Sequence, residues 1–129
     1  MRLGQMDYVN GRGPMELSKI GDPLTNLLFS MALSRVRGRP VGRKVSNTVL
    51  SAALSKTRLR EHAGSRMTKG DLGDYVEGLI FQNWAEGRVS MDAAVSILAE
   101  NLTSDSKGTE LKFESIAAFE CLLNHIASL

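Results

Sequence analysis

Residues 70–81 read GDLGDYVEGLIF, and the fold turns on how this stretch is taken. Three acids, Asp71, Asp74 and Glu77, sit within seven residues, and an apolar run follows at once. Leu72, Val76, Leu79, Ile80, Asn83 and Trp84 recur at the helical period, so the stretch opens a helix running to about Glu86. Asp71 is expected to be its N-cap, because a carboxylate there accepts the orphan N–H groups of the first turn. Asp74 and Glu77 are three apart and therefore neighbours on one face. Two readings of that pair stand open: a solvated acidic edge, or oxygen ligands for Mg²⁺ or Mn²⁺.

Working outward, the remaining elements also read as helices. Residues 15–36 carry Leu17, Ile20, Leu24, Leu27, Leu28, Met31, Ala32 and Leu33 at helical spacing. Pro23 means that this helix either kinks or starts there, with Asp22 as N-cap and Pro23 at the first position. Ser46 caps a short helix marked by Val49, Leu50, Ala53 and Leu54, and Ser90 caps another through residues 91–102. A final helix over residues 110–129 is expected to place Phe113, Ile116, Phe119 or Glu120, Leu123 and Ile126 on one side. Residues 1–14 read as an irregular Gly-rich arm, and residues 35–44 and 60–71 as basic loops. No alternating strand pattern and no repeat is found. The expectation is an all-α domain of five main helices.

The single cysteine, Cys121, rules out an intrachain disulfide and is expected to be buried in the last helix. No apolar leader and no membrane-spanning run is read, so a soluble, cytoplasmic protein is expected. The net charge of +2 hides an asymmetry. Ten basic residues and one acid, Glu61, lie between Arg35 and Lys69, whereas the rest of the chain holds six basic residues and thirteen acids. A basic middle between acidic flanks points to a polyanion partner, most simply nucleic acid. His62 and His125 lack zinc-ligand spacing, and NGRGP lacks the context of a phosphate loop. Phe81 and Trp84 read as core or interface residues.

A second Gly-Asp step changes the weight of the acid pair. SKIGDPLTNLL (18–28) places Asp22 before an apolar run, as DYVEGLIF (74–81) places Asp74 and Glu77. This pattern resembles the ribonuclease III family, whose first signature is Glu-x-x-x-Gly-Asp and whose later one is Asp-x-x-Glu-Ala-Leu-Ile-Gly. KVSNTVLSAALSKTRL (44–59) is similar to the family's connecting helix, and FQNWAEGRVSMDAAVSIL (81–98) to its helix–turn–helix. The resemblance spans about residues 8–103 and is closest to the minimal form without a double-stranded RNA-binding domain. It implies an intertwined homodimer acting as a Mg²⁺-dependent endoribonuclease on double-stranded or structured RNA, with Mn²⁺ able to substitute. Asp22, Asp74 and Glu77 would be the catalytic, metal-binding acids. Arg37, Arg39, Arg43, Lys44, Arg66 and Lys69 would contact RNA phosphates.

The chain departs from the family pattern at two places. Ser18 stands where the first signature has its glutamate, with Glu16 two residues off, and the connecting helix has Thr48 or Val49 where a further glutamate is expected. These departures motivate an alternative, a catalytically silent RNA-binding or ribonucleoprotein component of the same fold. A third reading is a helical protein–protein module whose acids are solvated caps.

Overall fold

The computed structural model describes residues 7–129 and is all-helical among them. The part of the expected arm over residues 1–6 lies outside the described residues. Asp7–Val9 form a short 3-10 turn, after which come α1 (Pro14–Arg37), α2 (Asn47–Ser55), α3 (Lys69–Ala85), α4 (Met91–Ala99) and α5 (Gly108–Ala127). A second 3-10 turn, Arg58–His62, occupies part of the expected second basic loop.

The central element is α3. Its buried residues, among them Leu72, Val76, Leu79, Ile80, Phe81 and Ala85, point in several directions. A helix apolar around most of its circumference belongs inside a core. Both α1 and α2 pack on it, α4 packs on α1, and α5 closes the far side against α2 and α4. The main core gathers Leu28, Leu33, Leu50, Leu54, Val76, Ile80, Val95, Leu98, Phe119 and Leu122. A smaller cluster of Val9, Leu17, Phe81 and Ala85, with Trp84 alongside, sits beside the start of α1.

The caps divide cleanly. Ser46 and Ser90 accept from the Val49 and Ala93 amides as expected. At α3 the expectation is corrected: Thr68 is the N-cap and Asp71 occupies the third helical position. The Thr68 hydroxyl accepts from the Asp71 amide at 3.1 Å, and the Asp71 carboxylate accepts from the Thr68 amide at 3.1 Å. This reciprocal capping box satisfies two orphan donors at once, which a lone Asp at the cap does not.

Helix α1 also settles an open alternative. It begins at Pro14, not at Pro23, and runs unbroken for 24 residues. Pro23 is exposed, so the missing N–H falls on the solvent side. Residues on both sides of it are buried, Leu17 and Gly21 before, Leu28, Phe29, Ala32 and Leu33 after. Packing on both flanks therefore outweighs the local break. The helical period of α1 is as expected, but not every apolar position on it is core. Ile20, Leu27 and Met31 are 37%, 49% and 39% exposed, and with half-buried Leu24 they form a second apolar stripe.

Two side chains of α5 correct the sequence reading. Phe113 is 65% exposed, and Cys121 lies at the surface with its thiol 3.7 Å from the Asn101 amide oxygen. The buried side of α5 runs through Leu111, Ser115, Ile116, Ala118, Phe119, Leu122, Leu123 and Ile126, which places Phe119 rather than Glu120 inward. Phe113 and Cys121 are both just off that stripe.

Candidate active site

The acid site exists because α1 and α3 touch backbone to backbone. A Cβ on Gly21 would collide with the Glu77 carbonyl, and one on Gly78 with the Pro14 carbonyl. Only hydrogen at these two positions allows the helices so close. Asp22 and Glu77 adjoin this contact, one on each helix, 55 residues apart in the chain.

Glu77 is 3% exposed. Burial first, then a hydrogen bond with Asp22, then the negative charges of Asp22 and Asp74, push its carboxyl from the ordinary 4.5 up to about 8. At neutral pH Glu77 thus holds a proton that it donates to Asp22. The other Asp22 contact is a 3.1 Å bond from the Asn26 side-chain amide. Among the described residues no Arg, Lys or His pairs with Glu77, and the ion pairs are Arg12–Glu16 and Arg88–Glu86. A buried carboxylate without a cation is costly, and here two acids meet.

The three expected acids are brought together unequally. Asp22 and Glu77 touch, whereas Asp74, one turn before Glu77, acts on it only through its charge. Among the described residues, no three His, Cys, Asp or Glu side chains are gathered so as to hold a metal ion. The donor chemistry of Asp22 and Glu77, hard oxygens that no cation neutralises among the described residues, fits Mg²⁺ or Mn²⁺; the closed geometry of a three-acid site is not formed among those residues. Ser18, one turn before Asp22, donates to the Met15 carbonyl at 2.8 Å. Glu16 does not replace the missing acid, because it is drawn away to Arg12 at 2.7 Å. Val49, in the connecting helix, is buried in the core.

The basic middle is largely unneutralised. None of its ten cations forms an ion pair within the described chain. Arg39, Arg43, Lys44, Arg66 and Lys69 are exposed. Arg37 departs from its expected role, for it is drawn inward: its guanidinium donates to the Ser106 carbonyl at 2.7 Å, and its Nε is buried without a partner. An open groove of about 790 Å³ runs between α1 and the basic segment, walled by Leu27, Met31, Arg35, Arg39, Pro40 and Val95.

Sequence reasoning missed Asn26. Its position four residues after Asp22 places it on the same helix edge, which was the available signal. Nothing in the sequence indicated its second partner, the Val45 amide at 2.8 Å.

The described residues form an all-helical domain in which a buried Glu77 meets an exposed Asp22 at a glycine-mediated helix crossing, with unpaired cations on the segment that follows α1. A family model described as Ribonuclease III matches residues 15–128, and the chain belongs to the ribonuclease III family. The match takes in α5 as well as the motif-bearing helices. A comparison with curated proteins returns no match. Among the described residues, no helix is long and apolar enough to cross a membrane.

Proposed function

We propose that this chain is an endoribonuclease that hydrolyses phosphodiester bonds in double-stranded or structured RNA with the help of Mg²⁺, Mn²⁺ substituting. The observation that carries the reading is the Glu77–Asp22 pair, in which a buried Glu77 meets an exposed Asp22 and, among the described residues, no cation neutralises either. Such a pair is unfavourable for the free domain and becomes favourable once a divalent cation replaces the shared proton. Asp22 and Glu77 would hold the ion, with Asp74 adding charge from the next turn. A bound divalent ion supplies an activated water and neutralises charge on the phosphate. The residues of the chain orient that chemistry: Gly21 and Gly78 set the helix separation, and Asn26 holds the Asp22 carboxylate.

Shape-based recognition of an A-form duplex needs phosphate and 2′-hydroxyl contacts rather than base stacking. Unpaired Arg39, Arg43, Lys44, Arg66 and Lys69 accord with that, and aromatics are only 5% of the chain. The exposed stripe of Ile20, Leu24, Leu27 and Met31 on α1 supports a homodimer, since a soluble monomer gains nothing from it. A single unpaired cysteine accords with RNA processing in the cytoplasm.

The test is cleavage of duplex RNA by the purified chain with and without Mg²⁺, beside Glu77→Gln. Metal-dependent cleavage lost in the variant is expected; an intact duplex across varied substrates would sink the enzymatic reading. A second reading rests on Ser18 and on the open geometry of the three acids. It holds the chain to be a silent family member that binds RNA, and predicts salt-sensitive RNA binding without cleavage.

A further inference from the structure

The chain leaves α1 through Gly38, whose φ of 70° is left-handed and whose amide donates to the Ser34 carbonyl. This turn sends residues 40–45 back along the helix they have just left. Three side chains of α1 fasten the returning segment at alternate residues. The Ser34 hydroxyl accepts from the Val41 amide at 2.8 Å and donates to the Val41 carbonyl at 3.1 Å. The Ser30 hydroxyl does the same for Arg43, at 2.9 Å and 3.1 Å. The Asn26 side-chain oxygen accepts from the Val45 amide at 2.8 Å.

The two spacings match. Four residues of helix advance about 6 Å, and two residues of extended chain about 6.6 Å. Asn26, Ser30 and Ser34 therefore act as rungs that hold residues 41, 43 and 45, while the described structure shows no hydrogen bond to the backbone of Gly42 or Lys44. The segment so held carries Arg43 and Lys44, with Arg39 in the turn just before it, all exposed.

The last rung does something the other two do not. The Asn26 amide nitrogen donates to the Asp22 carboxylate at 3.1 Å while its oxygen holds Val45. One planar side chain joins the acid site to the basic segment, and the assignment of its two ends is forced, since an N–H needs an acceptor and a carboxylate a donor. We propose that Asn26 is a positioning residue that locks the phosphate-binding segment in register with Asp22, so that cations and acids meet one RNA backbone as a unit. This rests on the nuclease reading above and adds a coupling that the acids alone do not require.

Two substitutions separate its two bonds. Asn26→Ala removes both. Asn26→Asp keeps an acceptor for the Val45 amide and loses the donor to Asp22. Amide hydrogen exchange on the full chain should show Val41, Arg43 and Val45 protected, with Gly42 and Lys44 fast. Val45 should become fast in Asn26→Ala and stay slow in Asn26→Asp. Both variants should cleave duplex RNA at least about tenfold more slowly in kcat, the scale on which misplacing a reacting group is felt. Ser30→Ala, which loosens the segment without touching Asp22, should raise KM more than it lowers kcat.

Wild-type-like cleavage by Asn26→Asp would show that Asn26 merely holds the segment and would overturn the coupling. Uniformly fast exchange over residues 41–45 in the wild type would overturn the rungs themselves. Failure of the nuclease reading looks different: the wild type itself would leave RNA intact, and the exchange pattern at Val45 would still uphold or overturn the clamp.

Discussion

Glu77 and Glu114 are the same residue in opposite surroundings. Glu114, on the outer side of α5, faces donors: the Thr103 amide at 2.9 Å, the Thr103 hydroxyl at 2.9 Å and the Ser106 hydroxyl at 2.7 Å. Burial pushes its carboxyl up, but these hydrogen bonds outweigh it and leave it below the ordinary value. Glu77 faces acids, and burial and Asp22 raise it to about 8. Glu114 is a staple for the loop between α4 and α5, and its charge is satisfied from within. Among the described residues Glu77 meets no cation, which leaves a proton or a ligand from outside to satisfy it. A glutamate that a fold keeps at its own expense is the one to examine for function.

The largest expected effect breaks that contrast at its unfavourable end. Glu77→Gln should lower Mg²⁺-dependent cleavage by about a thousandfold or more, the scale on which removing a key transition-state contact acts. The same variant should be more stable than the wild type at high pH. The folded-state value lies above the unfolded one, so the stability linked to Glu77 is complete below about pH 4.5 and lost as pH rises through about 8. Gln has no such loss. Urea unfolding at pH 8.5 without metal should favour the variant by about 2 kcal/mol or more, and the gap should close near pH 4.5.

Next comes the crossing that creates the pair. Gly21→Ala places a methyl against the Glu77 carbonyl, where backbone cannot yield as a side chain can. Overpacking of this kind costs about 1–3 kcal/mol, read as a lower urea midpoint, and should lower cleavage as well.

At the favourable end, the Glu114 bonds should matter to stability alone. Glu114→Gln should cost about 0.5–1 kcal/mol, a hydrogen-bond-sized loss discounted for solvent. Its sign is opposite to that of Glu77: the contribution is present above the ordinary carboxylate value and lost as pH falls through the lowered one. Cleavage by the folded variant should match the wild type.

The smallest effect separates the environments of two cations, Lys44 and Arg37. Lys44→Ala should reduce the salt slope of RNA binding by about 1 with stability unchanged. Arg37→Ala should instead lower stability, because the Ser106 carbonyl loses its donor, and leave the slope nearly as it was. A slope lost with Arg37 and kept without Lys44 would reverse the division of the basic segment drawn here.

Much of this was legible in the sequence, for identifiable reasons. Ser46 and Ser90 each precede a short run of helical period, and local chemistry decides such caps. The helix over 70–81 was equally clear, but its start was not, because Asp71 fits the cap and the third position alike and only the reciprocal bonds with Thr68 distinguish them. The burial of Glu77 was not legible at all. Asp74 and Glu77 at a spacing of three describe a solvated edge just as well, and the close approach of α1 at Glu77 depends on Gly21, on another helix. Phe113 and Cys121 misled because α5 has apolar residues beyond the stripe it buries. The rungs from Asn26, Ser30 and Ser34 were invisible for a different reason: they bind backbone of an irregular segment, which has no side-chain period to read.

The central claim is that the Glu77–Asp22 pair exchanges a proton for a divalent cation. Calorimetric titration of Mn²⁺ into the metal-free wild type and Glu77→Gln at pH 7, in buffers of different ionisation enthalpy, tests it most directly. The account predicts binding by the wild type with release of up to about one proton per site, and strongly weakened binding without that release in the variant. Equal Mn²⁺ affinity and equal proton release in the two proteins would contradict it.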